Sequence, residues 1–330
     1  MPIPHALVCR HASTRKRRLV KVLCQVGEQI AAAIQAAVPS VEVAVVAGDG
    51  PVPGDLQGDV VLTAAIGSPN LASVLEHGVR WVQTLGTGVD AFPLDLVGDR
   101  ILTCSRGASA IPISEWVLAT MLAFEKRLPD TWITGKPATW NFPTGGSLGA
   151  LHGRTLALVG LGGIGSAVAE RALPFGMRAR ALRRSDAPSP VPGVDIVTSL
   201  HELLSDADHV VLTAPATPAT RHLLDGAAFG AMKPGAHLVN IARGALIDQD
   251  ALRDALDRDV VARASLDTVS PEPLPEGHWM YTHPKVRLSP HISWSMPAAL
   301  DALLDVFVDN LGRYERGEPL LGLVDTGAGY

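Results

Sequence analysis

Cysteine is scarce. The chain has three, Cys9, Cys24 and Cys104. An odd number without metal-ligand spacing excludes a disulfide framework or a cysteine-based zinc site as the basis of the fold. Cys9 and Cys104 lie in strand-like runs and read as buried structural thiols, so a reducing compartment, the cytoplasm, is expected. Long apolar runs are missing as well. The longest, Trp116 to Phe124, is broken by Thr120 and falls far short of the ~20 residues a membrane span needs. No charged segment followed by an apolar one opens the chain as a signal peptide would. Nor is there an excess of positive charge. With 28 Lys and Arg against 33 Asp and Glu the net charge is −5, so no basic field draws the protein to nucleic acid or anionic lipid. The one dense basic run, Arg15-Lys16-Arg17-Arg18 beside Arg10 and Lys21, reads as a solvated helix face. What is abundant is apolar: 47% of 330 residues, against 18% charged. That is far too apolar for disorder and, at roughly 150 residues per domain, supports two cores.

Short β-rich runs alternate with longer helical patterns, which predicts parallel sheets with helices on both faces. Strands are predicted at Ala6–Cys9, Val41–Ala47, Asp59–Thr63, Trp81–Leu85 and Ile101–Thr103, with helices at Leu19–Val38 and Leu71–His77. A long apolar helix is predicted over 114–128, started by Ser114 with Glu115 and ended by Pro129. Residues 129–153, without periodicity, read as a connecting loop. A second series of strands follows at Thr155–Val159, Arg178–Arg183, His209–Thr213, His237–Ile241, Ala262–Asp267 and Val286–Ser289. Helices around Ala167–Pro174, His201–Leu204, Asp225–Met232 and Asp248–Leu256 separate them, and Ala298–Arg316 forms a C-terminal helix closed by Gly317. There is no internal repeat and no low-complexity segment.

Gly160-Leu161-Gly162-Gly163-Ile164-Gly165 stands between the strand run TLALV and the helical run SAVAERAL. In that context the spacing is a dinucleotide-binding loop. Gly160 makes the tight turn, Gly162 lets backbone approach a pyrophosphate, Gly165 lets helix and strand pack, and the helix N-terminus meets the anion. The next strand would end near the ribose. No acid stands there; Arg183-Arg184-Ser185 does. An acid would repel a 2′-phosphate, whereas this trio offers it charge-assisted bonds, so NADP is the expected cofactor, with NAD possible.

Further along, Met232-Lys233-Pro234-Gly235-Ala236-His237-Leu238-Val239-Asn240-Ile241-Ala242-Arg243-Gly244, then Leu266-Asp267-Thr268-Val269-Ser270-Pro271-Glu272-Pro273, then Ser289-Pro290-His291-Ile292-Ser293 follow in order. With Gly86-Thr87-Gly88-Val89-Asp90 and Thr217-Pro218-Ala219-Thr220-Arg221 upstream, the chain resembles the D-isomer-specific 2-hydroxyacid dehydrogenases from about residue 60 to the end. The residues support the chemistry in their own right. Reduction of a 2-keto acid needs a cation for the carboxylate, which the planar fork of Arg243 supplies. It also needs a proton donor for the carbonyl oxygen, a role suited to His291, with Glu272 to orient the ring and favour its charged form. The resemblance assigns these same roles to the Arg, Glu and His of the three motifs, and Asp267 to the nicotinamide carboxamide. It lays the backbone of Gly162, Gly163 and Ile164, of Thr213, Ala214 and Pro215, and of Ile241 and Ala242 along the cofactor. The backbone amides of Thr87, Gly88 and Val89 would face the substrate carboxylate. No metal site is expected. Glu272 stands where formate dehydrogenases carry Gln. Two departures from the family pattern are Asp267-Thr268-Val269 in place of the frequent Asp-Val-Phe, and Trp294, which either narrows the pocket or plugs the hinge.

What the resemblance implies is a Rossmann dinucleotide-binding domain, residues 109–295, inserted into a flavodoxin-like substrate domain, residues 1–108 with 296–330. Helix 114–128 resembles the family's dimerisation element, so a homodimer is expected. The expected activity is NAD(P)H-dependent reduction of a small 2-keto acid, such as glyoxylate, hydroxypyruvate or an aryl or branched pyruvate, to the D-2-hydroxy acid. Two other readings stand beside it: a dinucleotide-sensing binding protein like the related corepressors, and a D-3-phosphoglycerate dehydrogenase, although no extra regulatory domain and no phosphate-reading cluster in the first domain are evident.

Overall fold

Two parallel sheets form the framework of the described residues. The computed structural model describes residues 19–136, 148–185 and 187–330. The first sheet is built from β1 (Val20–Cys24), β2 (Val41–Val45), β3 (Val60–Ala64), β4 (Trp81–Leu85) and β5 (Ile101–Cys104), in the order β2-β1-β3-β4-β5. The second holds β6 (Thr155–Val159), β7 (Arg178–Leu182), β8 (Val194–Val197), β9 (His209–Leu212), β10 (Ala236–Asn240), β11 (Val261–Leu266) and β12 (Val286–Leu288). Its order is β12-β11-β10-β9-β6-β7-β8. Every residue of β6, β9 and β10 is buried, the condition of central strands covered on both faces and the reason they read as unbroken apolar runs. In each sheet the strand order reverses beside the first strand, and that reversal opens a crevice at the carboxyl ends of the strands.

The helices are α1 (Glu28–Ala37), α2 (Leu71–Leu75), α3 (Ala110–Glu125), α4 (Gly163–Ala172), α5 (Leu200–Leu204), α6 (Gly226–Gly230), α7 (Gln249–Asp257) and α8 (Ala299–Arg316). α3 carries the chain from the first sheet to the second; residues 289–298 carry it back to α8. That helix seats Phe307, fully buried, against Trp81 of β4 with ring centroids 5.4 Å apart. Gly317 closes it at φ +69°, a conformation that costs glycine little. The chain then turns back along β5, where Thr103 and Leu323 form an antiparallel bridge.

Three expectations need correction. The span Leu19–Val38 is not one helix: its first residues form β1, and the helix starts only after Gly27. The long apolar helix starts at Ala110, not Ser114. The Ser114 hydroxyl donates to the carbonyl of Ile111 at 2.7 Å inside the helix and caps nothing. β8, a short edge strand containing Asp195, was not predicted. The predicted strand Ala6–Cys9, the basic run 15–18 and most of the loop's central part, 137–147, lie outside the described residues. Cys24 and Cys104 are both buried, and burial pushes their thiols up from the usual range.

Behind the second sheet sits a polar chain unannounced by any motif. Glu125 of α3 bonds His209 at 3.1 Å, His209 bonds His237 at 3.2 Å, and His237 bonds the Ser265 hydroxyl at 2.9 Å. Phe124 stacks on the His237 ring at 4.6 Å. Burial, then the neighbouring His209 and Arg263, press the pKa of His237 well below the ordinary value, so its ring is neutral. The network ties α3 to β9, β10 and β11. No helix among the described residues is long and apolar enough to cross a membrane.

Candidate active site

The glycine loop has the shape its spacing predicts. Gly160 adopts φ +106°, and a side chain there would stand 2.9 Å from the Ala214 amide. A Cβ on Gly165 would stand 2.5 Å from the carbonyl oxygen of Gly160, whereas beside Gly162 nothing lies within 4 Å. Two glycines are thus demanded by the fold, and the middle one opens outward. No side chain caps the ten-residue α4, Gly163–Ala172, so its first amides, those of Gly163 and Ile164, are left for an anion. Thr213, just after β9, donates its hydroxyl to the carbonyl of Gly160 at 2.8 Å and fixes the loop against the Ala214–Pro215 segment. These residues fit a dinucleotide pyrophosphate.

Arg183 immediately follows β7 and is half-buried, one guanidinium nitrogen donating to the Pro188 carbonyl at 3.1 Å. Arg184 and Ser185 are exposed. Arg184 carries its guanidinium 4.7 Å above the ring of Tyr330, near the end of the segment that follows α8. Nothing in the local sequence signals that contact.

The three acid–base and anion-binding candidates converge on one cleft of about 420 Å³, lined by Gly88, Asp90, Arg243, Glu272 and His291 among others. Arg243 follows β10. The fully buried Asn240 holds its backbone, donating to the Arg243 carbonyl at 2.9 Å and accepting from the Ala242 amide at 3.0 Å. Gly244 can only be glycine, because a Cβ would lie 1.9 Å from the carbonyl carbon of Val269. Across the cleft the guanidinium rests on Gly88: a Cβ there would stand 1.9 Å from Nη2 of Arg243. Thr87, Gly88 and Val89 follow β4, so the expected substrate loop and the expected substrate cation do meet.

His291 and Glu272 are paired, with Nδ1 of the ring 2.8 Å from Oε2. The other carboxylate oxygen of Glu272 accepts from the Val269 amide at 3.0 Å, which anchors the acid. With Nδ1 committed to Glu272, Nε2 is the ring nitrogen left to meet a substrate. His291 has φ +54°, a left-handed conformation that a residue with a side chain adopts only when its surroundings compel it, and one that concentrates at functional sites. The compulsion comes from Asp267. Its carboxylate, 2% exposed, accepts from the amides of Ile292 at 2.9 Å and Ser293 at 3.0 Å and from the Ser289 hydroxyl. The residue expected to read the nicotinamide therefore also moulds the loop that carries His291. Trp294 is 41% exposed, and its indole N–H donates to the His291 carbonyl at 3.0 Å. Among the described residues no group of three His, Cys, Asp or Glu side chains is arranged to hold a metal ion.

A family model described as D-isomer specific 2-hydroxyacid dehydrogenase, NAD binding domain, matches residues 118–293. D-3-phosphoglycerate dehydrogenase of Methanocaldococcus jannaschii is 31% identical over 266 residues, 78% of this chain and 50% of the relative, so the chain spans half the length of that protein. Glyoxylate/hydroxypyruvate reductase A of Serratia proteamaculans is 30% identical over 273 residues, 76% of this chain and 82% of the relative. The crystal structure of a D-isomer specific 2-hydroxyacid dehydrogenase from Xanthobacter autotrophicus Py2, in complex with NADPH and MES, is similar with a TM-score of 0.81 and 28% identity, covering 94% of this chain and 99% of that one.

Proposed function

The chain belongs to the D-isomer specific 2-hydroxyacid dehydrogenase family of NAD(P)-dependent oxidoreductases, and from that premise we propose that it reduces a small 2-keto acid, glyoxylate or hydroxypyruvate foremost, to the D-2-hydroxy acid with NADPH. The observation that carries this reading is the convergence of Arg243 with the His291–Glu272 pair on one cleft, opposite the glycine of the 86–90 loop. In this reading residues 109–295 are the cofactor domain and 1–108 with 296–330 the substrate domain, and α3 is the face through which two copies pair.

A nicotinamide cofactor, held by the Gly160–Gly165 loop, would supply hydride-transfer chemistry at C2 of the substrate; the remaining tasks fall to the chain's own residues. Arg243 holds the carboxylate and draws charge onto the carbonyl oxygen. Amides of the 87–89 loop meet the carboxylate from the other side. His291 gives the Nε2 proton to the oxygen as negative charge builds there, and Glu272 orients the ring through its bond to Nδ1. In oxidation the same nitrogen takes the hydroxyl proton. The cofactor would be held by the Gly160–Gly165 loop, Thr213 to Pro215, Ile241 and Ala242, and Asp267 retains a lone pair for the carboxamide after its three bonds within the His291 loop. A phosphorylated substrate fits less well: among the described residues Arg243 is the only arginine or lysine lining the cleft, and it already faces Asp90.

The test is loss of absorbance at 340 nm with glyoxylate, hydroxypyruvate and phenylpyruvate, compared as kcat/KM. If none of them oxidises either reduced cofactor, the catalytic reading fails and the dinucleotide-sensing one takes its place. Run with both cofactors, the assay also examines the ribose end. NADPH is expected to exceed NADH ten- to a hundredfold, about 1.4–2.8 kcal/mol. Charge-assisted bonds from Arg183, Arg184 and Ser185 to a 2′-phosphate, roughly 1.5–3 kcal/mol each when partly buried, are reduced by solvent, since Arg183 is half-buried and Arg184 and Ser185 are exposed. Binding of NADPH in the Xanthobacter relative supports the same choice. Arg183→Asp should swing the ratio toward NADH. An NADH preference in the wild type, or a ratio untouched by the substitution, would refute the assignment.

A further inference from the structure

Asp90 belongs to the first sheet's loop and Arg243 to the second sheet's, 153 residues apart in sequence, yet their side chains meet across the cleft. Both carboxylate oxygens of Asp90 accept from Nε of Arg243 at 3.0 Å, and Oδ1 lies 2.8 Å from Nη2 as an ion pair. Nη1 donates to the carbonyl of Ala242 at 2.7 Å. A guanidinium has two edges that can grip a carboxylate with paired bonds: the side formed by Nε with Nη2, and the end formed by Nη1 with Nη2. Asp90 occupies the first of these. Nη2 also packs against the Gly88 backbone, with no room for a Cβ between them.

We propose that Asp90 is a positioning residue for the reaction: it fills the side edge of Arg243, so that a substrate carboxylate and carbonyl are gripped only by the end edge. The proposal rests on Arg243 being the substrate anchor. Its physical content is a trade of affinity for geometry. A carboxylate beside the arginine neutralises much of the charge that would attract the substrate anion, and it competes for the same donors. In return the arginine offers one binding face instead of two, and misplacement of a reacting group by about 1 Å can cost a hundredfold in rate. Because Asp90 comes from the opposite sheet, the arginine takes this orientation only while the two halves of the cleft stand as they do here.

The experiment measures kcat and KM separately with glyoxylate and NADPH for the wild type, Asp90→Asn and Asp90→Ala, each also in an Arg243→Lys background. For Asp90→Ala, kcat is expected to fall about ten- to a hundredfold while KM falls or stays constant, since the freed arginine binds the anion readily but in two poses. Asp90→Asn, nearly isosteric and still offering one acceptor oxygen, should recover part of kcat. In the Arg243→Lys background removal of Asp90 should cost nothing further, because no fork remains to orient. A raised KM with kcat preserved would overturn the proposal, making Asp90 a direct substrate contact. So would an equal loss in both backgrounds, which would mark a merely structural residue. Retained NADPH binding, followed by quenching of intrinsic fluorescence, establishes that each variant is folded. Should Arg243→Lys alone keep wild-type activity, the anchor reading of Arg243 fails. If Arg243→Lys is inactive while Asp90→Ala matches the wild type in both constants, only the positioning role fails.

Discussion

Replacing His291 with alanine is expected to lower keto-acid reduction by about 10²–10⁴-fold, the usual contribution of a positioned general acid, while NADPH binding stays near that of the wild type. The geometry separates the two effects. His291 has Nδ1 on Glu272 at 2.8 Å and lines the cleft between the sheets, whereas the pyrophosphate loop lies after β6 and is held by Thr213. The loop bearing His291 does not depend on the imidazole either. Asp267 grips the amides of Ile292 and Ser293, and Glu272 keeps its bond to the Val269 amide when the ring is gone. Single-turnover rates, with cofactor binding followed by fluorescence, make the check. Near-normal turnover at pH 7 would remove His291 from the mechanism and leave the Glu272 pair as a surface contact.

How much of this was legible in the sequence follows from the range of each interaction. TLALV and AHLVN announced central strands because both faces of each are buried, which leaves no polar alternation to confuse with a helix. VDIV did not, since an edge strand of four residues with an acid in it has no pattern of its own. Ser114 misled because a serine near a helix start resembles a cap, whereas here its hydroxyl bonds back to the preceding turn. In the same way VKVLC merged with α1, there being no turn residue before Gly27 to divide them. At the site, Arg243, Glu272 and His291 were readable as an ordered set of motifs, and the structure brings all three to one cleft. The role of Asp90 was not readable, although the residue stands beside Val89, because its partner comes from the other sheet, 153 residues away, and only the fold brings the two together. The stacking of Arg184 on Tyr330 was invisible for the same reason. Asp267 shows a third case: its place in a motif was plain, but its three bonds to the 289–293 loop depend on the turn that sets His291 at φ +54°.

Arg243→Lys is expected to be nearly as damaging as Arg243→Ala, although it keeps the charge. An ammonium is a point donor on a flexible stem and cannot span a carboxylate and a carbonyl oxygen at once. Two charge-assisted bonds of roughly 1.5–3 kcal/mol each are at stake, so kcat/KM should fall by about a hundredfold or more in both variants. The structure adds a reason particular to this chain. Asp90 lies 2.8 Å from the guanidinium, and a lysine reaching into the same space would find that carboxylate before it found a substrate. Its charge would then be neutralised with no second edge to offer. Folding should be little affected: the Arg243 and Asp90 side chains are 31% and 33% exposed, and ion pairs open to solvent to that degree contribute little net stability. Thermal unfolding midpoints close to the wild type's, alongside the collapse in kcat/KM, are therefore the expected pair of results. If lysine restores most of the activity, Arg243 serves only as a diffuse positive charge, and the fork geometry built around Gly88, Asp90 and Ala242 has no part in catalysis.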